Sequence, residues 1–429
     1  MRRTLLIVFG LIIGSVVVWL NLKPGDWGAE HEPSAADLMA PLQAPDFAAY
    51  IEASRRMIVE ATAALKEPPG PEQIERRLPF VLTPDPATCP PNGSGLPRRG
   101  VLLVHGLSDS PYLVRDIAHA FADRCYLARA VLLPGHGTVP GDLQRAGLEA
   151  WMAAVSYGLE SFAGAIDGPL VLAGYSMGVG LGVLQVIENT TADSPEIAAI
   201  VGFAPALHGP LDPTDARLAF LQLVSDFPRF QYYAVRRQID PVKYESFAVA
   251  ATFEYMALQD RIGDLVSGMP LSIPFFAVVS EADLTVPPAN ILDFFCHRVE
   301  GRRRLELYSN HGQRPQPCKN IFLRRTAWPE DGVLEITHVG ITNAPDNPVY
   351  GRQSGAYVNC HHYQNEDEAL YRACRDPANR PQNSRIRYGE PSPENLQQHL
   401  IRRGMFNPDL ASLMSELLDW LDQTLGAGT

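Results

Sequence analysis

Between residues 100 and 300, short uninterrupted apolar runs alternate with longer segments whose apolar residues recur every three or four positions. The runs are GVLLVHG (100–106), YLARAVLLPGHG (126–137), GPLVLAGYS (168–176), EIAAIVGFAPA (196–206) and IPFFAVVSEAD (273–283). Each is short and apolar along its length, as a strand buried on both faces must be. Between them lie SPYLVRDIAHAFADR, LEAWMAAVSYGLESFAGA, MGVGLGVLQVIENT and PANILDFFCHRV, all with helical spacing. This alternation predicts an α/β protein with a mostly parallel, doubly wound sheet.

The rhythm breaks at residues 206–270. This stretch is helical in flavour and rich in aromatics, among them Phe220, Phe227, Tyr232, Tyr233, Phe247 and Tyr255. Upstream, residues 46–66 predict a helix with one apolar face, EPPGPE ends it, and LPFVLTP (78–84) reads as a short strand. Residues 332–337, GVLEIT, read as a further strand, and NPDLASLMSELLDWLDQTL (407–425) as a final amphipathic helix.

At the start of the chain, MRR precedes Thr4–Leu20, 17 residues without a charge. That length reaches the lower bound for a membrane span of about 17 residues. The arginines before it place the N-terminus in the cytoplasm and the rest of the chain outside. NLKPGDWGAEHEP offers no small-residue cleavage site, which favours an uncleaved anchor over a signal peptide. The expected organisation is therefore an anchor over residues 1–22, a linker and helix over 23–77, and a catalytic domain over 78–429. Export gives the six cysteines a meaning, because an even number in an oxidising compartment predicts disulfides. Six cysteines allow 15 pairings; proximity favours Cys89–Cys125, Cys296–Cys318 and Cys360–Cys374. The alternative, a metal site around Cys360, His361, His362 and Cys374, fits no ordinary zinc spacing. A net charge of -12 argues against a nucleic-acid partner.

AGYSMG (173–178) carries the chemistry. A G-x-S-x-G pentapeptide is weak alone, but here it follows a buried strand and opens a helix, the context of a nucleophile elbow. Ser176 then needs a base and an acid that orients the base, in the chain order serine, acid, histidine. Asp283 ends a buried strand and is the expected acid; Glu281 is its rival. Two histidines follow at usable positions. His311 comes after the strand-like RRRLELYSN, and His338 after GVLEIT. The oxyanion hole needs two backbone N–H groups. Met177 follows the nucleophile, and Leu107 follows the VLLVHG strand; His105 precedes the serine and is not the expected base.

VLLVHGLSDSPY, LLPGHGTVPGDL and AGYSMG, in this order, resemble the α/β-hydrolase superfamily, in particular its serine esterase, lysophospholipase and monoacylglycerol lipase branch. The resemblance spans roughly residues 78–425. It implies an α/β-hydrolase fold with a helical cap inserted at about 206–270, preceded here by an N-terminal membrane helix. It implies Ser176 as nucleophile, Asp283 as acid, and Leu107 with Met177 as oxyanion-hole amides. The segment EITHVGITNAPDNPVYG resembles the surroundings of the catalytic histidine in a subset of bacterial members, which implies His338 rather than His311, with His361 and His362 further behind. The expected activity is hydrolysis of a small acyl ester by a lipase-like serine esterase, without metal or organic cofactor. Peptidase, amidase or acyltransferase chemistry of the same fold, and a non-catalytic envelope-binding role, are the alternatives.

Overall fold

A computed structural model describes residues 22–426 except 24, 92, 189–195, 208–215, 269, 313–317, 353–355 and 365. The expected membrane segment Thr4–Leu20 lies outside the described residues. Among the described residues no helix is long and apolar enough to cross a membrane.

The chain enters through α1 (Phe47–Thr62) and α2 (Pro71–Arg77), then builds an eight-stranded sheet. Its strands are β1 (Phe80–Leu82), β2 (Arg99–Val104), β3 (Tyr126–Val131), β4 (Leu170–Tyr175) and β5 (Ile197–Phe203), followed later by β8 (Phe275–Ser280), β9 (Arg303–Tyr308) and β10 (Ile321–Arg324). Their order is β1-β3-β2-β4-β5-β8-β9-β10, and only β1 runs antiparallel to its neighbour. From β2 the chain passes to β3 on one side and then to β4 on the other. That reversal opens a crevice beyond the carboxyl ends of β2 and β4, where ligands bind in open α/β sheets.

The strands are apolar throughout because both faces are covered. On β2, Leu102 and Val104 join one core cluster, while Val101 and Leu103 join the other. On β8 the same alternation splits Phe275 and Ala277 from Phe276 and Val278. Helices α4 (Leu148–Glu160), α5 (Met177–Glu188) and α8 (Pro288–His297) cover the first face; α3 (Arg115–Asp123) and the final helix, α11 (Leu410–Leu425), cover the second. Each fully buried large apolar side chain, such as Trp151 or Phe121, contributes about 1.5–3 kcal/mol.

The interruption after β5 holds α6 (Ala216–Val224), a two-stranded ribbon of β6 (Tyr232–Ala234) and β7 (Phe247–Ala248), and α7 (Val249–Gly268), so it is not purely helical. It is pinned to the loop after β2. Tyr244 N donates to Ser108 O at 2.8 Å, and Lys243 pairs with buried Asp109 at 3.0 Å. The proline-rich stretch before α1 is also held down: buried His31 meets Ser246 Oγ at 2.9 Å, and Ser34 bonds Asp142 through backbone and hydroxyl.

Two departures from expectation lie near the C-terminus. GVLEIT does not form a strand. Val333 makes only isolated bridges to Trp328 and Tyr388; backbone bonds such as Leu334 N to Tyr388 O at 2.8 Å hold its first half, and side chains hold the second, with Ile336 N donating to Thr326 Oγ1 at 3.0 Å and Thr337 Oγ1 to Gly404 O. Second, between β10 and α11 lies an excursion with α9 (Glu368–Arg375), α10 (Pro393–Gln398) and a small parallel pair, β11 (Ile386–Gly389) and β12 (Leu400–Arg403). The disulfides are Cys89–Cys125, Cys296–Cys318 and Cys360–Cys374, as proximity favours. No group of three or more residues able to hold a metal ion occurs among the described residues.

Candidate active site

Ser176 is the single residue between the end of β4 and the start of α5. Turning from strand to helix in one residue requires an unusual backbone, and Ser176 has φ +53°, the left-handed region that side chains other than glycine rarely adopt. The turn is held from three sides. Ser176 N donates to Phe203 O at 2.9 Å, and Ser176 O accepts from Val179 N at 3.1 Å and Ala206 N at 3.2 Å. The flanking glycines are a packing requirement. A Cβ on Gly178 would sit 2.2 Å from Val104 O, and one on Gly174 would sit 2.5 Å from Val179 N. Gly178→Ala is therefore expected to push α5 off β2 and lower stability by about 1–3 kcal/mol, read as a reduced melting temperature. An unchanged melt would show that the turn can relax.

His338 opens a single 3-10 turn, His338–Gly340, on the excursion after β10, with Thr337 Oγ1 capping it by accepting from Gly340 N. Its Nε2 lies 3.1 Å from Ser176 Oγ, and its Nδ1 lies 2.7 Å from Asp283 Oδ2. Asp283 sits just past the end of β8. Its other oxygen accepts from Thr285 N at 2.7 Å and Val286 N at 2.9 Å. His338 and Asp283 are both buried, at 3% and 5% exposure. Burial alone would raise the Asp283 pKa. The adjacent His338 ring, its hydrogen bond and the two amides outweigh burial and hold the carboxyl below the usual carboxylate range.

The rival residues are placed elsewhere. His311 is 77% exposed on its side chain and bonds Glu281 at 3.0 Å, so these two pair with each other at the surface. His105 is fully buried. Its Nε2 accepts from Leu133 N at 3.1 Å, which leaves Nδ1 to donate to Gly106 O at 2.8 Å. Burial, and then neighbouring His136, push its pKa well below 6.5, so it is neutral and shapes the turn. His362 bonds Ile401 O at 3.1 Å. His361 lines the cavity but joins no hydrogen bond to Ser176 or Asp283.

The cavity over Ser176 has a volume of about 360 Å³, in the range of small-molecule sites. Leu107, Met177, Tyr255, Phe247 and Val286 supply apolar wall, and the α6–α7 insertion contributes Tyr233 and Thr252. A larger cleft of about 710 Å³, lined by Arg302, Phe322 and Trp420, contains none of these residues, so the hydrogen-bond chain and not volume locates the site.

Residues that sequence reasoning missed secure His338. Glu390 Oε1 accepts from His338 N at 2.9 Å, and Tyr175 Oη donates to His338 O at 3.3 Å. Arg403 holds Glu390 in turn, at 2.7 and 3.1 Å. Glu390 follows the histidine by 52 residues, in a proline-rich turn that looks like solvent-exposed loop. No local signal marks it.

Residues 101–330, more than half of the sequence, match the alpha/beta hydrolase family. The chain belongs to the alpha/beta hydrolase family. The matched span contains Leu107, Ser176, Met177 and Asp283, and ends before His338. A thermostable monoacylglycerol lipase from a Bacillus species is 28% identical over 193 residues, covering 44% of this chain and 73% of that protein. A structure described with LipS and LipT, two metagenome-derived lipolytic enzymes, is similar at 22% identity and a TM-score of 0.43, over 54% of this chain and 87% of that one. The monoacylglycerol lipase of Paleococcus ferrophilus is similar at 18% identity and a TM-score of 0.41, over 54% and 88%. In this member of the family, the loops after β2, β4 and β8 and the excursion after β10 each deliver one part of the site.

Proposed function

We propose that this hydrolase cleaves carboxylic esters through a Ser176–His338–Asp283 triad. The observation that carries the proposal is the unbroken chain Asp283 Oδ2–His338–Ser176 Oγ, with steps of 2.7 and 3.1 Å, on the wall of the 360 Å³ cavity. A serine hydroxyl is a weak nucleophile until a base takes its proton. His338 Nε2 is within reach to do so while Ser176 Oγ attacks the acyl carbonyl. Asp283 fixes the Nδ1–H tautomer and stabilises the imidazolium that forms. The same proton then goes to the departing alkoxide, leaving an acyl-serine. Water, activated by His338 in the same way, releases the acid and restores Ser176.

The amides of Leu107 and Met177 are the proposed oxyanion donors. Met177 N is at the N-terminus of α5, where the unpaired N–H groups and the helix dipole favour developing negative charge. The similarity to a monoacylglycerol lipase supports a lipid-derived acyl ester as substrate. The three disulfides support an oxidising location for the catalytic domain, and Thr4–Leu20 is the proposed membrane tether.

A chain-length series of p-nitrophenyl acyl esters tests the reading with the full-length protein. Turnover is expected with short and medium acyl chains and should fall once the chain exceeds the cavity. Absence of turnover with every ester, alongside cleavage of matched anilides, would replace esterase by amidase.

A further inference from the structure

Three cations line the cavity over Ser176: Arg236, Lys243 and Arg403. Two of them already hold a carboxylate. Lys243 pairs with Asp109 at 3.0 Å, and Arg403 grips Glu390 at 2.7 and 3.1 Å while donating to Thr285 Oγ1 at 2.6 Å. Arg236 holds none. Its backbone N–H and C=O bond Ser246 Oγ at 2.8 and 3.1 Å, but among the described residues its guanidinium has no hydrogen bond or ion pair.

The charged groups around Arg236 do not satisfy it. Glu245 is the carboxylate that acts on it most strongly, yet lies beyond ion-pair contact and is engaged elsewhere. Its Oε1 accepts from Tyr357 Oη at 2.7 Å, and its Oε2 from the amides of Ile239 and Asp240 at 2.7 and 3.3 Å. Glu366 and Tyr357 act only through space, and Arg403 repels. Burial pulls the Arg236 pKa down against these groups. His361, on the same wall, senses the resulting field. After burial, the largest influences lowering its pKa are Arg236 and Arg403, with Lys243 also contributing.

A half-buried guanidinium without a counter-charge is costly to maintain in a protein interior. Its planar fork of donors matches a carboxylate or phosphate. Resting on the ester-hydrolase reading, we propose that the preferred substrates are acyl esters carrying a second, anionic group, a carboxylate or phosphate, which Arg236 anchors while the ester carbonyl lies at Ser176. Neutral acylglycerols lack the group that this position is built to hold. The anchor adds ground-state and transition-state binding alike, so its effect falls on selectivity between ligands.

Two matched ligand pairs test this: monooctanoyl glycerol against monooctanoyl glycerol phosphate, and dimethyl adipate against monomethyl adipate. Kd values are measured by calorimetry on full-length Ser176→Ala protein, which binds without turnover. In at least one pair, the charged member is expected to bind about tenfold or more tightly than its neutral match. Which pair shows the preference identifies phosphate or carboxylate as the source. Adding Arg236→Gln should bring the ratio to within about twofold, and Arg236→Lys should restore part of it. A general loss of fold abolishes binding of both members alike, whereas loss of the anchor weakens the charged member and leaves the Kd of the neutral one as it was. Equal Kd values within both pairs, or a preference that survives Arg236→Gln, overturns the proposal. Hydrolysis of all four esters by the Ser176 protein is scored separately. Its absence removes the esterase reading while the binding ratio still decides the anion subsite.

Discussion

Ser176→Ala is expected to lower kcat for a short p-nitrophenyl ester by about a million-fold, with KM little changed. The magnitude is what a serine nucleophile of a triad loses when the acyl-enzyme route closes. Residual turnover of about a thousandfold over water would come from the proposed oxyanion amides and from binding. The structural cost should be small. The Ser176 backbone, at φ +53°, is held by its own N–H and C=O to Phe203, Val179 and Ala206, so removing one oxygen leaves these bonds intact. Labelling with a fluorophosphonate reports the same residue independently. Wild-type protein should label and the variant should not; equal labelling would rule out Ser176 as the nucleophile.

The second large effect separates two histidines. His338→Gln should lower kcat by about four to six powers of ten, while His311→Gln should stay within about twofold of wild type, measured with the same ester. Geometry drives the contrast. His338 bridges Ser176 Oγ and Asp283 Oδ2, whereas His311 stands in solvent against Glu281. Because the nucleophile and base act as a unit, the double variant Ser176→Ala, His338→Gln should be hardly worse than either single one. Full activity in His338→Gln would overturn the base assignment, and additive losses would show that the two residues act in separate steps.

The difference between these residues also shows where sequence information is dense. Ser176 is legible because a one-residue turn from strand to helix leaves local marks: a buried strand before it, small residues beside it, a helix after it. Gly178 is glycine because Val104 O occupies the place of its Cβ, and that constraint is written within two residues of the serine. Asp283 is legible for a related reason, as the first carboxylates after a buried strand fall at the sheet edge. Glu281 and Asp283 share that description, and only the fold separates them. Glu281 bonds surface His311, and Asp283 turns inward to His338.

His338 had no such local marks, and only the resemblance of EITHVGITNAPDNPVYG pointed to it. The strand expected before it, GVLEIT, is not a strand, and the matched family segment ends at residue 330. Its position depends on Glu390, Tyr175 and, through Glu390, Arg403, which are scattered through the chain and meet only when the excursion after β10 folds back on the sheet. The unpaired cation at Arg236 was equally invisible, since whether a charge has a partner is a property of distances.

By itself, then, the sequence determined the parallel sheet, its two covered faces and the serine turn, and favoured by proximity the disulfide pairing that the structure has. Each follows from periodicity or close spacing, which local sterics and burial impose on neighbouring residues. Only the tertiary structure brings His338 within reach of Ser176, turns Asp283 and not Glu281 toward it, and leaves Arg236 without a counter-charge. Those outcomes rest on contacts between residues far apart in the chain, such as His338 with Asp283 (55 positions) and with Ser176 (162 positions), and chain separation carries no trace of them until the chain is packed.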